Sequence, residues 1–450
     1  MTLVNEAAAR YHKLIESEPY IDLAWAEELQ QRIRAQKLTA RAVSPVLRPH
    51  LLTKSEYSAI ERATAAVYSA IHRVEQLVIA TPSLLGRLQL LPAERMLAGI
   101  DPRYASNNLS GLLDTSLHNG APHFDGYRAN TPAGVIYSDR LADLYYDAPP
   151  VKEFRKKYKL AKMSSAKPFL QSMLKAYKES GGKEKKPAIA IVEARAQFQN
   201  PDSSENALFA EYLRQAGFTA DVVSPEQLEY RNNELRRGET LYHIVYRCLR
   251  LQEFLVRFDL NHPLVRAYKE GAVCMINSFR SEVASKRGLF ELLTDDAVTK
   301  KFPAAERKAI KEFIPWTRMV QAAKVTHGRH TVDLPEYVMK HRAKLVLRPN
   351  DEASDQHTFR GSDLDAAGWE KALREAMRSP YVVQEAAAPT RMVFPLVQYG
   401  SLVMKDMQVE VHPHFFGGAL HGASAWLKVA GNPGFSTLSG LAPTFLLEGK

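Results

Sequence analysis

Cysteine is scarce in this 450-residue chain, which has two, Cys248 and Cys274. Each sits in an apolar run, "IVYRCLRL" and "GAVCMINSF", outside any CxxC or Cys/His cluster. That pattern reads as buried free thiols and argues against a disulfide or a zinc site. Long apolar runs are missing as well: none reaches membrane-spanning length, and the N-terminal "MTLVNEAAARYHKLIE" has no basic-then-apolar signal pattern. These absences predict a soluble cytoplasmic protein with no membrane partner. Net negative charge is also lacking. Sixty Lys and Arg face 50 Asp and Glu, a formal charge of +10. The excess is diffuse apart from "KEFRKKYKLAK" (152–162) and "KESGGKEKK" (178–186). The second run has no interleaved aromatics, so it reads as a solvated linker and not as a nucleic-acid patch. A diffuse positive field suits small anionic substrates such as nucleotides and carboxylates.

What is present is ordinary for a globular chain: 45% hydrophobic and 24% charged residues, enough for two or three domains. Residues 1–100 repeat apolar positions at helical spacing, as in "EYSAIERATAAVYSAIHRVEQLVIA", and read as a helical packing layer without an ionisable cluster. Residues 101–180 open with short strands punctuated by Gly, Pro and Asn. Residues 187–280 alternate strand and helix: "AIAIVEA", a helix in "SSENALFAEYLRQAG" capped by Ser203 or Ser204 and stopped by Gly217, "FTADVVSP", a strand within "ETLYHIVYRCL", and "GAVCMINSF". Such alternation predicts a small parallel sheet with a ligand edge at the strands' C-terminal ends. Residues 281–450 read as α+β. The helix "SEVASKRGLFELLTDD" precedes the strands "AKLVLRPN" and "PYVVQEA", and an antiparallel set follows in "SLVMKDMQVEVHPHFFGGALHGASAWLKVAG".

Four pieces stand in a consistent order: "FDGYRANTPAG" after "GLLDTSL", "NSFRSEVASKRGLFELL", "FIPWTR" followed by "LVLRPND", and "PYVVQEA". Together, over residues 101–450, they resemble the circularly permuted ATP-grasp family, in the branch related to glutathionylspermidine synthase. The resemblance implies permuted ATP-grasp lobes, a small parallel α/β domain placed before them and the N-terminal helical layer. It also implies ATP and Mg2+ as cofactors and an ADP-forming carbon–nitrogen ligase. In such an enzyme a small-molecule carboxylate is phosphorylated and an amine displaces phosphate from the acyl phosphate. Positioning and charge neutralisation carry most of that chemistry, so cations and hard oxygen ligands are wanted around the triphosphate.

Carried over position by position, the resemblance puts Lys286 at the nucleotide phosphates and Gln384 and Glu385 at the adenine hinge. Arg348 stands where the family has lysine, and a planar fork is not equivalent to a point charge. Arg360 and Gly361 close the loop after that strand. Ala353, Ser354, Asp355 and Gln356 replace the consecutive glycines that would let backbone amides wrap phosphate. Asp114 matches a metal-binding aspartate and Asn130 the last metal position. Gly126 and Arg128 replace the expected Glu and Asn, so a cation stands where a metal ligand belongs, while Asp125 lies one residue out of register. Arg128 thereby joins Lys286 and Arg348 among the expected catalytic cations. Arg247 and Asn277, at strand ends of the α/β domain, are the expected substrate contacts. Glu410, His412 and His414 alternate along one strand and read as an edge-strand surface, with a metal site joined by Asn432 as the alternative. Two functions follow: a carboxylate–amine ligase with a diverged metal site, or a catalytically decayed relative that binds nucleotide or scaffolds a partner ligase.

Overall fold

The computed structural model describes residues 2–38, 46–105, 109–118, 121–129, 134–194, 205–351, 357–429 and 439–448. The expected Ser203 or Ser204 cap, Asn130, the 353–356 loop and Asn432 lie outside the described residues.

The first hundred residues are mostly helical, as the periodicity predicts. The longest helix, Lys54–Ala80, starts at a capping box in which the Thr53 hydroxyl accepts from the Glu56 amide and the Glu56 carboxylate accepts from the Thr53 amide. Its Val67, Ile71, Val74 and Val78 lie on one face and are buried against Leu113, Tyr127 and the 288–293 helix. Full burial of each such side chain contributes about 1.5–3 kcal/mol. The region is not purely helical, however. His50–Thr53 is a strand running parallel to Thr444–Leu447, which pairs in turn with Leu160–Lys162. That partner lies almost 400 residues away, so local periodicity carried no sign of it.

The α/β stretch forms the expected parallel sheet, ordered Cys274–Ile276, Ile244–Cys248, Ile189–Glu193, Ala220–Val223. Its central strands, Ile244–Cys248 and Ile189–Glu193, are buried on both faces, which is why they read as continuous apolar runs. The helix Glu205–Gln215 leads to Gly217 at φ +87°, a backbone conformation that glycine adopts without strain.

Two antiparallel sheets frame the C-terminal third. One is ordered Thr317–Met319, Tyr381–Glu385, Leu345–Pro349, Phe359–Arg360, with the helix Ala366–Ala376 capped by Asp365. The other runs Gly440–Ala442, Ala419–Val429, Ser401–Phe416, Ser110–His118, Ala121–Arg128, and Thr390–Gln398 also pairs with Ser401–Phe416. An early hairpin thus completes a sheet begun by strands some 300 residues later. The strand carrying Glu410, His412 and His414 is therefore central and not an edge. Its Pro413 lies next to the register shift at His414/Phe415, and bulges are where a strand tolerates proline.

The expected single helix after "NSF" is broken in two, Ser281–Ser285 and Gly288–Leu293, with Lys286 extended at φ −73°, ψ 129°. The cause is Asn350, whose carbonyl accepts from the Arg287 amide at 2.8 Å while its side chain accepts from the Gly288 amide at 2.8 Å. Both amides are taken by a residue far along the chain, so the helix stops and restarts.

Candidate functional site

One face of the mixed-origin sheet gathers charge. Asp114 lies on Ser110–His118, Arg128 and Asp125 on Ala121–Arg128, Glu410 and His412 on Ser401–Phe416, and Lys428 on Ala419–Val429. Asp114 pairs with Gly126 and Thr115 with Phe124, so Asp125 is the extra residue of a β-bulge. A bulge re-aims its residue, and here it turns a nominally out-of-register carboxylate towards the Leu345–Pro349 strand. There Asp125 accepts from Arg348, Oδ2 at 2.7 Å and the backbone carbonyl at 3.1 Å.

The remaining charges alternate in sign. Arg128 Nη2 donates to Asp114 Oδ1 at 2.5 Å, and the His412 Nε2 is 3.5 Å from the same oxygen. Lys428 Nζ donates to Glu410 Oε1 at 3.1 Å. Burial alone would raise the Asp114 carboxyl, but Arg128, His412 and Arg287 overcome it and hold it well below the usual carboxylate range. Burial, aided by Arg128, pushes His412 down to about 4, so its ring is neutral at pH 7. Burial raises Glu410, with Lys428 opposing and Asp114 and Asp125 adding to the shift.

Lys286 stands at the helix break. Its buried ammonium donates to Glu94 Oε1 at 3.0 Å and to Asp351, which directly follows Asn350. Burial disfavours the charge, yet Asp351 and Glu94 outweigh it and raise Lys286 above the ordinary lysine value. Glu94 comes from the helical region that reads as free of ionisable clusters. The Leu91–Glu94 capping pattern marks its backbone role, but nothing local signals that its carboxylate meets Lys286.

At the hinge, Gln384 is buried; its Nε2 donates to Thr317 Oγ1 at 3.0 Å, while its Oε1 has no hydrogen-bond partner. Glu385 is more open, with Oε1 3.0 Å from His327 Nε2, which also lies 3.0 Å from the Tyr337 hydroxyl. Trp316 packs edge-on against the same histidine. Arg360 is exposed. A Cβ on Gly361 would run into the Arg342 carbonyl oxygen, so close backbone packing alone accounts for that glycine.

Arg247 and Asn277 lie deep in the interior. Arg247 donates from all three nitrogens, to Asn277 O, Leu249 O, Glu282 and Ser281 among others. Asn277 bonds the backbone of Leu109, Ser110 and Ala129. A substrate contact at either residue requires these bonds to open.

Among the described residues, the donors do not fit a magnesium ion as they are arranged. Asp114, Asp125 and Glu410 are hard oxygen donors, but each is held by a cation of the protein. Among the described residues no group of three or more His, Cys, Asp or Glu is placed to hold a metal. A Cβ at 126 would stand 2.6 Å from Asp114 Oδ2, so an acidic side chain there requires that carboxylate to shift.

Comparison with protein-family models and with curated protein sequences gives no match. Among solved structures, a glutathione synthetase-like effector from Globodera pallida, in its apo form, superposes with a TM-score of 0.59 at 11% identity, covering 96% of this chain and 99% of that one. A γ-glutamylcysteine synthetase-type protein from Methylobacillus flagellatus reaches a TM-score of 0.41 at 11% identity over 88% and 87% of the two chains. The ATP-grasp ligase PsnB, solved with a minimal precursor, Mg and ADP, reaches 0.29 at 12% identity over 57% and 88%. The first of these likenesses spans nearly the whole chain, and at that identity it is one of fold: this chain has the glutathione synthetase-like, mixed α/β fold.

Proposed function

We propose that the chain is a nucleotide-binding protein of the ATP-grasp carboxylate–amine ligase class that receives ATP through its own cations and not through a metal. The observation that carries this reading is a set of three cation–carboxylate pairs. Arg128 is bound to Asp114, Arg348 to Asp125 in the adjoining bulge, and Lys286 to Asp351 at the end of the Arg348 strand. Lys286 and Arg348 stand where the resemblance expects phosphate contacts and Arg128 where it expects a metal ligand, while Gln384 and Glu385 lie on the strand paired with that of Arg348, where the resemblance expects the adenine. The unpartnered Gln384 Oε1 is a buried acceptor that an adenine amino group would satisfy. The early hairpin that joins a C-terminal sheet supports reading the chain as a permuted ATP-grasp protein of the glutathionylspermidine synthase-like branch.

In a ligase of this class the substrate carboxylate attacks the γ-phosphorus, the bond to the bridging oxygen breaks and ADP leaves. The amine then attacks the acyl carbon, phosphate departs, and the nitrogen sheds a proton. The arginines and Lys286 would offset the charge on the phosphates. A second reading is favoured by the Arg128–Asp114 pair, which fills the metal position with a salt bridge: a decayed relative that binds nucleotide and acts on or beside a partner ligase. Incubation with ATP and mixed amino acids or polyamines separates the two. Phosphate and ADP release supports the ligase. Stabilisation by ATP without release supports the binder, and indifference to every nucleotide removes both.

A further inference from the structure

The basic run 178–186 reads as a solvated linker, yet part of it forms the wall of a cavity. The space measures about 270 Å³, below the size of a drug-sized ligand pocket and ample for a small ion. It lies at the N-terminal ends of Ile244–Cys248 and Cys274–Ile276, the sheet edge opposite the one expected to bind ligand. Arg103, Lys183, His243 and Gly271 are among the residues that line it.

The cations here differ from those of the charged face, each of which is held by a carboxylate. Arg103 and Lys183 are exposed, and neither side chain has a hydrogen bond or ion pair among the described residues. Arg103 has a left-handed backbone at φ +63°, uncommon for a residue with a side chain. Its guanidinium lies over Gly271, where a Cβ would stand 2.1 Å from Nη1 and the arginine would have to move aside. Lys183 follows the turn that ends the Ala166–Glu179 helix, and the next amide, of Glu184, donates to the Tyr177 hydroxyl at 3.3 Å. At His243, Nδ1 accepts from the Ala188 amide at 3.1 Å, which leaves Nε2 as the N–H of the neutral ring. Two carboxylates share the lining. Asp101 is engaged, since it accepts from the Arg103 amide at 2.9 Å and lies 3.8 Å from Arg280 Nη1. Glu184 is bound to no cation among the described residues and acts on His243 through its charge.

Two unpaired cations and a ring N–H around one small space suit an oxyanion, to which an arginine fork can donate twice. We propose that this cavity binds a small, multiply charged oxyanion, with one end on the Arg103 fork, Lys183 offsetting its charge and His243 donating a further hydrogen bond. Phosphoryl compounds and short dicarboxylates share that chemistry. The site has no residue in common with the nucleotide candidate and does not depend on that reading.

Calorimetric titration of the full chain at neutral pH and low salt, with inorganic phosphate and with succinate, tests the proposal. Succinamide serves as the neutral counterpart. At least one oxyanion should saturate, with succinamide at least about tenfold weaker than the tighter of the two. Tighter phosphate assigns the occupant to phosphoryl compounds, and tighter succinate to dicarboxylates. Because the charged face also carries cations, variants locate the binding. Arg103→Gln should weaken the oxyanion about tenfold or more and Lys183→Gln several-fold, while Glu184→Gln should tighten it by removing a like charge. All three side chains are exposed and the first two have no partner to lose, so the fold is retained. Failure of both oxyanions to saturate, equal binding of succinamide, unchanged affinity in Arg103→Gln, or weaker binding in Glu184→Gln overturns the site.

Discussion

Arg128 stands where the family resemblance expects an oxygen ligand, and its side chain leaves no gap there. It bonds Asp114 at 2.5 Å and helps hold that carboxylate ionised. Arg128→Ala should therefore weaken ATP binding by about 1–3 kcal/mol through loss of a charge-assisted contact. It should also lower the melting temperature, because Asp114 loses its principal partner. Calorimetry on the folded variant separates the two effects, and Arg128→Lys should recover part of both. His412 carries a second consequence. Its folded value of about 4 lies below the ordinary 6.5, so on acidification the unfolded chain takes up its proton first. Stability is complete above pH 6.5 and falls between about pH 6.5 and 4, by on the order of 3 kcal/mol from His412 alone. His12, His50 and His414 are shifted the same way by burial and steepen the fall. Urea midpoints measured across that range check the sign, and a midpoint that stays flat or rises towards pH 4 contradicts it.

At the scale of elements, the break between Ser281–Ser285 and Gly288–Leu293 positions Lys286, and Asn350 makes the break. Asn350 is fully buried and its side chain also donates to the Leu88 carbonyl at 2.8 Å. Asn350→Ala leaves the Gly288 amide and the Leu88 carbonyl unsatisfied, at about 1–3 kcal/mol for each. The expected result is a lower urea midpoint with an unchanged slope, together with loss of stabilisation by ATP. The strands Leu345–Pro349 and Tyr381–Glu385 were legible locally, because they follow from short-range pattern. The break was not legible, because "SEVASKRGLFELL" is sound helix sequence and its interruption comes from a residue some 60 positions on. Glu94 was missed for the same reason, and the Glu410–His414 strand read as an edge because its neighbour comes from residue 110 onward.

Over the whole molecule, every sheet that frames the candidate site joins distant stretches of chain, and the site exists only where they meet. The order of motifs, more than any one of them, names Asp114, Arg128, Lys286 and Arg348 as candidates. It did not foresee that each would face an opposite charge of the protein itself. On the proposed reading, phosphates bind here by exchanging places with carboxylates and not by bridging through a metal. Calorimetric titration of the full chain with ATP, once with magnesium and once with EDTA, tests this most directly. The account predicts saturable one-to-one binding in both, with affinities within about threefold, since cations of the protein supply the contacts. Binding that appears only with magnesium, or no binding in either, contradicts it.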